Sequence, residues 1–284
     1  MDIRTFGTQL IRTEDLDPVY SMLAGATGRY TREPVDAAAA PPPRYITQDE
    51  LCRFLVAYWC FYHCGASAYI AAASGRTFWR MMEIAAANEL PAPTGGRWPR
   101  AHERRHFRGQ KAVDAVRWLA DMWPRPEDLV LHLMEGSAAL DDVLSKVKRL
   151  PQFGPWIGFK IADMLERVLG SRIVFPPDLG IMYREPAAAL DILSSEDGRR
   201  GDAHWNDLLG YFRQFKAPPT FDRPCGPQEV ETILCKWKSM RGGHYYVGKD
   251  IREIDVGLQV WGNTAPLVNV LRLHLPSVPT LAAA

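Results

Sequence analysis

The chain has 284 residues, of which 47% are hydrophobic, 24% charged and 11% aromatic. This is the composition of a globular protein, and it excludes a disordered chain, a collagen-like fibre and a coiled-coil rod. Lys and Arg total 34 and Asp and Glu 33, so the formal net charge is +1. A protein that coats nucleic acid through its overall charge is therefore excluded, whereas a local basic patch is not.

The cysteine content predicts a reducing compartment. Five cysteines in a chain of this length are a low and odd number, which does not indicate a disulfide framework. The first residues, Met1–Thr5, lack the apolar core of a signal peptide. We therefore expect a cytoplasmic protein.

An uncharged run from Phe54 to Gly75 follows Thr47 and Glu50, which have the spacing of a helix capping box. The run is long enough to span a bilayer. Because it contains polar and aromatic side chains, we expect one central buried helix instead. Three of its side chains share a predicted helix face and could hold a metal: Cys60, His63 and Cys64. Packing in the core is the favoured interpretation, and no cofactor is predicted; a need for a divalent metal stays open.

The other helix signals are spread along the chain. Residues 110–122 are amphipathic, and Asp250–Glu253 resembles a capping box that opens a helix to Trp261. Three prolines suit the first position of a helix: Pro126, Pro186 and Pro227. Neither alternating strands nor a repeat of fixed period is visible. The sequence therefore predicts an all-α protein.

The predicted organisation is an N-terminal segment followed by one helical domain. Residues 1–45 form the segment, which ends in an Ala/Pro linker at 37–44. Residues 46–284 form the helical domain. Two lobes split near residue 140 would also fit the pattern.

Residues 150–158 are predicted to form a tight turn between two short helices within about 140–170. Backbone N–H groups and the positive dipole end at the start of the second helix suit a phosphate. Three basic residues precede the turn and would add attraction: Lys146, Lys148 and Arg149. The second helix has an apolar face and a polar face that we expect to meet solvent: Lys160, Asp163, Glu166 and Arg167.

Two clusters of basic residues stand out in a nearly neutral chain. The loop 97–111 carries six Lys and Arg residues and two His against one acid, Glu103. Arginines there supply permanently charged, bidentate donors to phosphate oxygens. Segment 235–252 interleaves six basic residues with three aromatic rings, which suits an extruded base. A merely solvated basic surface remains the alternative for both clusters.

The turn resembles the hairpin of the helix–hairpin–helix DNA glycosylase superfamily. That hairpin reads Leu-Pro-Gly-h-Gly, with h apolar, and here the residues are Leu150-Pro151-Gln152-Phe153-Gly154. A catalytic Asp follows about 20 residues later in the superfamily, and Asp178 lies 24 residues after Gly154. Trp156 occupies the place of the nucleophilic Lys of bifunctional glycosylases, so the resemblance does not imply lyase chemistry.

Further motifs are similar to a phage family of thymine hypermodification, the α-glutamyl/putrescinyl thymine pyrophosphorylases (clade 2) or amino acid:DNA transferases. The motifs are Asp17-Pro18-Val19-Tyr20, Tyr58-Trp59-Cys60, Arg104–Gly109 and Cys235–Asp250. The resemblance covers roughly residues 14–262. It implies transfer of an amine, such as glycine or a polyamine, to 5-(pyrophosphoryloxymethyl)uracil in double-stranded DNA, with release of pyrophosphate. Such a modification would protect viral DNA from host restriction, and the enzyme would work in the host cytoplasm without a membrane.

The resemblance and the charge pattern together predict the site residues. The catalytic candidates are Asp178, Lys249 and His106. Candidates for binding substrate or pyrophosphate are Arg104, Arg105, Arg108, Lys236, Lys238, His244 and Tyr245. Candidates for binding DNA are Gln152, Gly154, Trp156, Gly158 and Lys148. Asp178 would deprotonate the incoming ammonium group or, as the alternative, cap a helix. We expect the two basic clusters to converge on Asp178.

Two other functions fit the same residues. One is a DNA glycosylase that cleaves the N-glycosidic bond of a modified base, with Asp178 as the catalytic carboxylate. The other is a non-catalytic DNA-binding module that uses the hairpin and the basic loop. The two basic clusters favour the transferase over the glycosylase.

Overall fold

The computed structural model of the protein describes residues 1–30, 44–179 and 183–279. These ranges contain helices, turns and an isolated bridge between Lys216 and Pro224, but no β-strand. The α-helices are α1 (Ile3–Arg12), α2 (Pro18–Ala26), α3 (Gln48–Phe61), α4 (Cys64–Ala71), α5 (Gly75–Ala87), α6 (Gln110–Met122), α7 (Pro126–Met134), α8 (Leu140–Val147), α9 (Pro155–Arg167), α10 (Arg184–Asp197), α11 (Gly201–Phe212), α12 (Pro227–Arg241), α13 (Lys249–Trp261) and α14 (Pro266–Leu273). The predicted all-α class is confirmed. Except for Arg44, the predicted Ala/Pro linker lies outside the described residues.

The chain divides into two compact units. The first comprises Met1–Ser21, Val174–Glu253 and Pro276–Ala284, and the second comprises Met22–Ile173 and Ile254–Leu275. Within the first unit, α1 packs against α11 and α12. Neither the boundary predicted near residue 45 nor the alternative near residue 140 coincides with this division, because the chain returns to each unit from distant positions.

The uncharged run is interrupted between two buried helices. The capping box before it is confirmed: Thr47 Oγ1 accepts from the Glu50 N–H at 3.2 Å, and the Glu50 carboxylate accepts from the Thr47 N–H at 2.8 Å. The prediction of one continuous helix is wrong, since Tyr62 adopts a left-handed conformation with φ of 52°. His63 then caps α4, and its Nδ1 accepts from the Ala66 N–H at 3.2 Å. Among the described helices, none has the length and apolar character needed to cross a membrane.

The cysteine and histidine residues of this run belong to the protein interior. Burial lowers the pKa of His63 to about 4 and raises the pKa of Cys60 and Cys64 to about 12. The break in the helix also separates Cys60 from the other two residues. Over the described ranges, no group of three or more His, Cys, Asp or Glu side chains is arranged to hold a metal ion.

Several predicted helix starts agree with the structure. Helix α6 spans Gln110–Met122, and Pro126 and Pro227 are the first residues of α7 and α12. Pro186 instead lies in the third position of α10. Helix α13 begins at Lys249, so Asp250 lies inside its first turn and is not the predicted cap.

The prediction that the polar face of α9 meets solvent is wrong. Lys160, Asp163 and Arg167 are buried, and Asp163 is 0% exposed. Arg167 Nη1 lies 3.5 Å from Asp163 Oδ2, one helical turn away. Helix α8 packs against α9, and the opposite charges of Asp163 and Arg167 compensate one another in the interior.

Candidate nucleic-acid interface

The predicted hairpin is formed by α8, the turn 148–154 and α9. Gly154 precedes α9 in an extended conformation and is exposed, and Pro155 is the first helical residue. A Cβ at Gly154 would meet no atom within 4 Å, so a ligand can approach this backbone closely. The N–H groups of Trp156 and Ile157 lie in the first turn, where helices lack internal acceptors. This end of α9 therefore offers backbone donors and a positive dipole to an anion.

Gln152 retains the backbone conformation that the hairpin requires. Its φ is +66°, the left-handed region that glycine adopts without a steric penalty. The departure from the Leu-Pro-Gly-h-Gly pattern thus changes the side chain and leaves the turn intact.

Gly158 lies where α8 and α9 pack together, since a Cβ there would lie 2.7 Å from Leu144 Cδ2 and 3.3 Å from Val147 Cγ1. It allows α8 and α9 to pack closely, and its burial argues against the DNA contact predicted for Gly158.

Arg104 is a buried residue of the basic loop, and its side chain bonds to the hairpin. Its side chain is 1% exposed, and its Nη1 donates to the Gln152 carbonyl at 3.0 Å. Its Nε donates to the carbonyl of Cys60, near the C-terminal end of α3, at 3.1 Å. The rings of Phe107 and Phe153 lie 4.8 and 4.9 Å from the guanidinium carbon. Burial lowers the pKa of Arg104 to about 10, which still leaves it charged at neutral pH. This burial argues against the direct pyrophosphate contact predicted for Arg104.

The other residues of the basic loop are divided between the interior and the surface. Arg100 is held by backbone carbonyls, including Ala85 at 3.0 Å. The exposed basic members are Arg97, His102, Arg105, His106, Arg108 and Lys111. Burial and then the Arg104 cation lower the pKa of His106, and a hydrogen bond to the Gln152 backbone opposes them. The surface of the loop is therefore basic, and its interior supports the hairpin.

The second basic cluster forms a network around a buried carboxylate, Asp15, which is 0% exposed. Asp15 Oδ2 accepts from the Tyr245 hydroxyl at 2.8 Å and from the Gly248 N–H at 2.6 Å. Lys236 Nζ donates to the Tyr245 hydroxyl at 3.0 Å, bonds to the Asp15 carbonyl and lies 2.6 Å from Asp250 Oδ2. Burial raises the pKa of Asp15 although Lys236 opposes it, and burial also raises the pKa of Tyr245.

This network argues against substrate contacts for Lys236 and Tyr245. Lys238 pairs with Glu185, and Lys249 Nζ donates to the His244 carbonyl at 2.6 Å. The His244 side chain is exposed.

The candidate base and the candidate DNA-binding lysine lie on the surface. Asp178 is exposed in a turn, beside the buried Leu179. The indole of Trp205 donates to the Pro177 carbonyl and anchors this turn in the first unit. Lys148 is exposed at the start of the hairpin turn. The loop 97–111 belongs to the second unit and Asp178 to the first; their convergence stays a prediction.

Comparison with known proteins identifies the family of this chain. The sequence pattern of one family, described as amino acid:DNA transferase, matches residues 46–246. The chain belongs to the amino acid:DNA transferase family. It is 35% identical to a glycinyltransferase of Pseudomonas phage PaMx11, over 98% of this chain and 97% of that protein. It is 28% identical to a putrescinyltransferase of Delftia phage PhiW-14, over 94% of this chain and 80% of that protein.

Membership makes this chain a transferase that acts on DNA, which confirms the enzyme class that the resemblance implied. The residues matched to the amino acid:DNA transferase pattern include the basic loop, the hairpin and Asp178. Asp15 and Lys249 lie outside that range. Two residues with a marked structural role could not be predicted from the sequence: Asp15, whose partners are remote in the chain, and Tyr62, whose left-handed backbone has no local signal.

The conformation of Gln152 leads to a stability prediction for this transferase. Gln152→Gly is expected to raise the free energy of unfolding by about 0.5–1 kcal/mol, because relief of the left-handed strain exceeds the added freedom of the unfolded chain. Urea denaturation measures the change. Gln152→Ala serves as the control and is expected to bring no gain, since it keeps the Cβ. Equal stability of the two variants would contradict the prediction.

Proposed function

We propose that this transferase joins an amine to 5-(pyrophosphoryloxymethyl)uracil in DNA and releases pyrophosphate. The observation that carries the proposal is the similarity to a glycinyltransferase along nearly the whole of both chains. Glycine is the proposed amine, because the identity and coverage are higher for that relative than for the putrescinyltransferase. The product would protect viral DNA from restriction.

The hairpin is the proposed grip on the DNA backbone. A phosphate beside Gly154 would accept hydrogen bonds from the first-turn N–H groups of α9. Lys148 lies exposed on the same turn and adds a positive charge. Arg105 and Arg108 are exposed on the basic loop and are the proposed ligands of the pyrophosphate.

The reaction requires a free amine and a stabilised leaving group. The amine nitrogen attacks the 5-methylene carbon, the bond from that carbon to oxygen breaks, and pyrophosphate leaves with the electron pair. The attacking ammonium must first lose a proton, and the exposed carboxylate of Asp178 is the proposed acceptor. His106 and Lys249 are proposed to stabilise the negative charge that develops on the pyrophosphate as it leaves.

The test is a transfer assay with Asp178→Asn. Wild-type protein, duplex DNA with the pyrophosphorylated base and glycine are incubated, and nucleosides are analysed by mass spectrometry. We expect a product in which glycine has replaced pyrophosphate. The variant is expected to lose at least about 100-fold in turnover, as for a missing general base, while DNA binding at each salt concentration is unchanged.

Asp191→Asn is the control, because Asp191 is an exposed aspartate of α10 in the same unit. It is expected to transfer glycine at the wild-type rate. Free base or abasic DNA from the wild-type protein would indicate a glycosylase, and unchanged DNA that is still bound would indicate a binding module. Normal turnover by Asp178→Asn would contradict the assignment of Asp178 as the proton acceptor. It would leave the proposed transfer of glycine standing.

A further inference from the structure

We propose that Tyr62 and Trp156 form the surface on which the extruded pyrimidine base stacks. This inference rests on the proposed function, because it assumes that the hairpin holds the DNA. It adds a base-binding subsite to the phosphate-binding end of α9.

The two rings are in contact and are anchored from the interior. The Tyr62 and Trp156 ring centroids lie 5.1 Å apart with an interplanar angle of 61°. The ring of Tyr58, which is buried in α3, lies 4.4 Å from that of Tyr62. Tyr62 and Trp156 are themselves half-buried. The aromatic series therefore leads from the core to the surface and ends at the hairpin.

The backbone of Tyr62 indicates that its ring is needed at this position. Tyr62 has φ of 52° and ψ of 41° and ends α3 in the left-handed region. This conformation is sterically unfavourable for a bulky residue, whereas Gly adopts it freely and Asn tolerates it. Strained residues of this kind cluster at functional sites. The strain directs an aromatic ring against Trp156, and a simple helix end would not require that.

The location of Trp156 identifies the ligand as a base. Trp156 is the second residue of α9, so it lies in the same helical turn as the N–H groups proposed to bind a phosphate. A nucleotide held by that phosphate has its base within reach of the indole. An enzyme that modifies the 5-substituent of a duplex pyrimidine has to present the base outside the stack. Aromatic rings bind the face of any base through stacking.

The experiment compares two DNA duplexes that carry no reactive group. One is fully paired, and in the other a central thymine faces an abasic site and is therefore unpaired. The full chain and its Trp156→Ala variant are titrated with each duplex by fluorescence anisotropy at several salt concentrations. The variant is expected to bind the unpaired-thymine duplex about 5- to 150-fold more weakly, the equivalent of 1–3 kcal/mol of stacking. Its affinity for the fully paired duplex should change less than 3-fold at every salt concentration.

Two further variants separate the ring from the backbone. Trp156→Phe keeps an aromatic face and is expected to restore most of the preference for unpaired thymine. Tyr62→Asn keeps the left-handed backbone but removes the ring, and it is expected to lower that preference. Trp118→Phe, on α6, is the control and should match the wild type. Thermal unfolding verifies that each variant is folded.

The outcomes separate this inference from the proposed function. A preference for unpaired thymine that disappears in Trp156→Ala supports the subsite even if the wild-type protein transfers no glycine. Wild-type preference for unpaired thymine in Trp156→Ala or in Tyr62→Asn would overturn the subsite even if glycine transfer is observed.

Discussion

Arg104→Met is expected to lower the free energy of unfolding by about 2–4 kcal/mol, because the carbonyls of Cys60 and Gln152 lose a charged donor inside the protein. The hairpin turn loses its internal support at the same time. We expect DNA affinity to fall about 10-fold, through a less well-ordered phosphate site. Chemical denaturation and DNA titration measure the two effects.

The salt dependence of binding distinguishes support of the hairpin from direct contact. Arg104→Met should leave the slope of log affinity against log salt unchanged, since a buried guanidinium neutralises no phosphate. Arg105→Met changes an exposed arginine of the same loop and is the matched control. It should keep the wild-type stability and, with DNA that carries the pyrophosphorylated base, reduce the slope by about 0.9, because one contact to phosphate oxygens is lost. A reduced slope in Arg104→Met would show that Arg104 itself binds the backbone.

Asp15→Asn is expected to lower the free energy of unfolding by about 2–4 kcal/mol. The carboxylate accepts hydrogen bonds from Tyr245, the Gly248 N–H and, at 3.4 Å, the Ile251 N–H. An amide can accept through only one of its two ends, so a donor is placed against another donor. Lys236 also loses a nearby negative charge. Chemical denaturation at neutral pH measures the change.

Asp2→Asn is the control for the loss of Asp15. Asp2 caps α1 in the same unit, but it does so at the exposed surface, with 3.0 Å bonds from the N–H groups of Arg4 and Thr5. Asn caps helices about as well as Asp, so a change below about 0.5 kcal/mol is expected. If the two variants lose equal stability, the Asp15 network contributes no more than an ordinary cap.

Local sequence patterns were sufficient where neighbouring residues decide the structure. The capping box of Thr47 and Glu50, the amphipathic helix 110–122 and the proline starts of α7 and α12 all involve contacts within one or two helical turns. The hairpin also follows from a short pattern, and its turn persists with Gln152 in the left-handed position. These features depend on backbone geometry, which a few adjacent residues specify.

The sequence could not show which basic residues are buried and which are exposed. Arg104 and Arg105 are adjacent arginines in the same loop, yet one is buried and the other is exposed. The polar residues of α9 likewise looked like a solvent-facing stripe, but Asp163 and Arg167 pair inside the protein. A charged side chain has to be stabilised by water or by a buried partner, and tertiary packing decides which of the two it has.

The sequence by itself determined the all-α class, the place of the hairpin and, through its similarity to phage enzymes, the amino acid:DNA transferase family. Only the tertiary structure decided that Asp15 meets Lys236, which lies 221 residues later, and that Tyr62 reaches Trp156. Helical periodicity describes which residues share a face of one helix. It carries no information on which distant segment covers that face, because the fold of the whole chain sets those contacts.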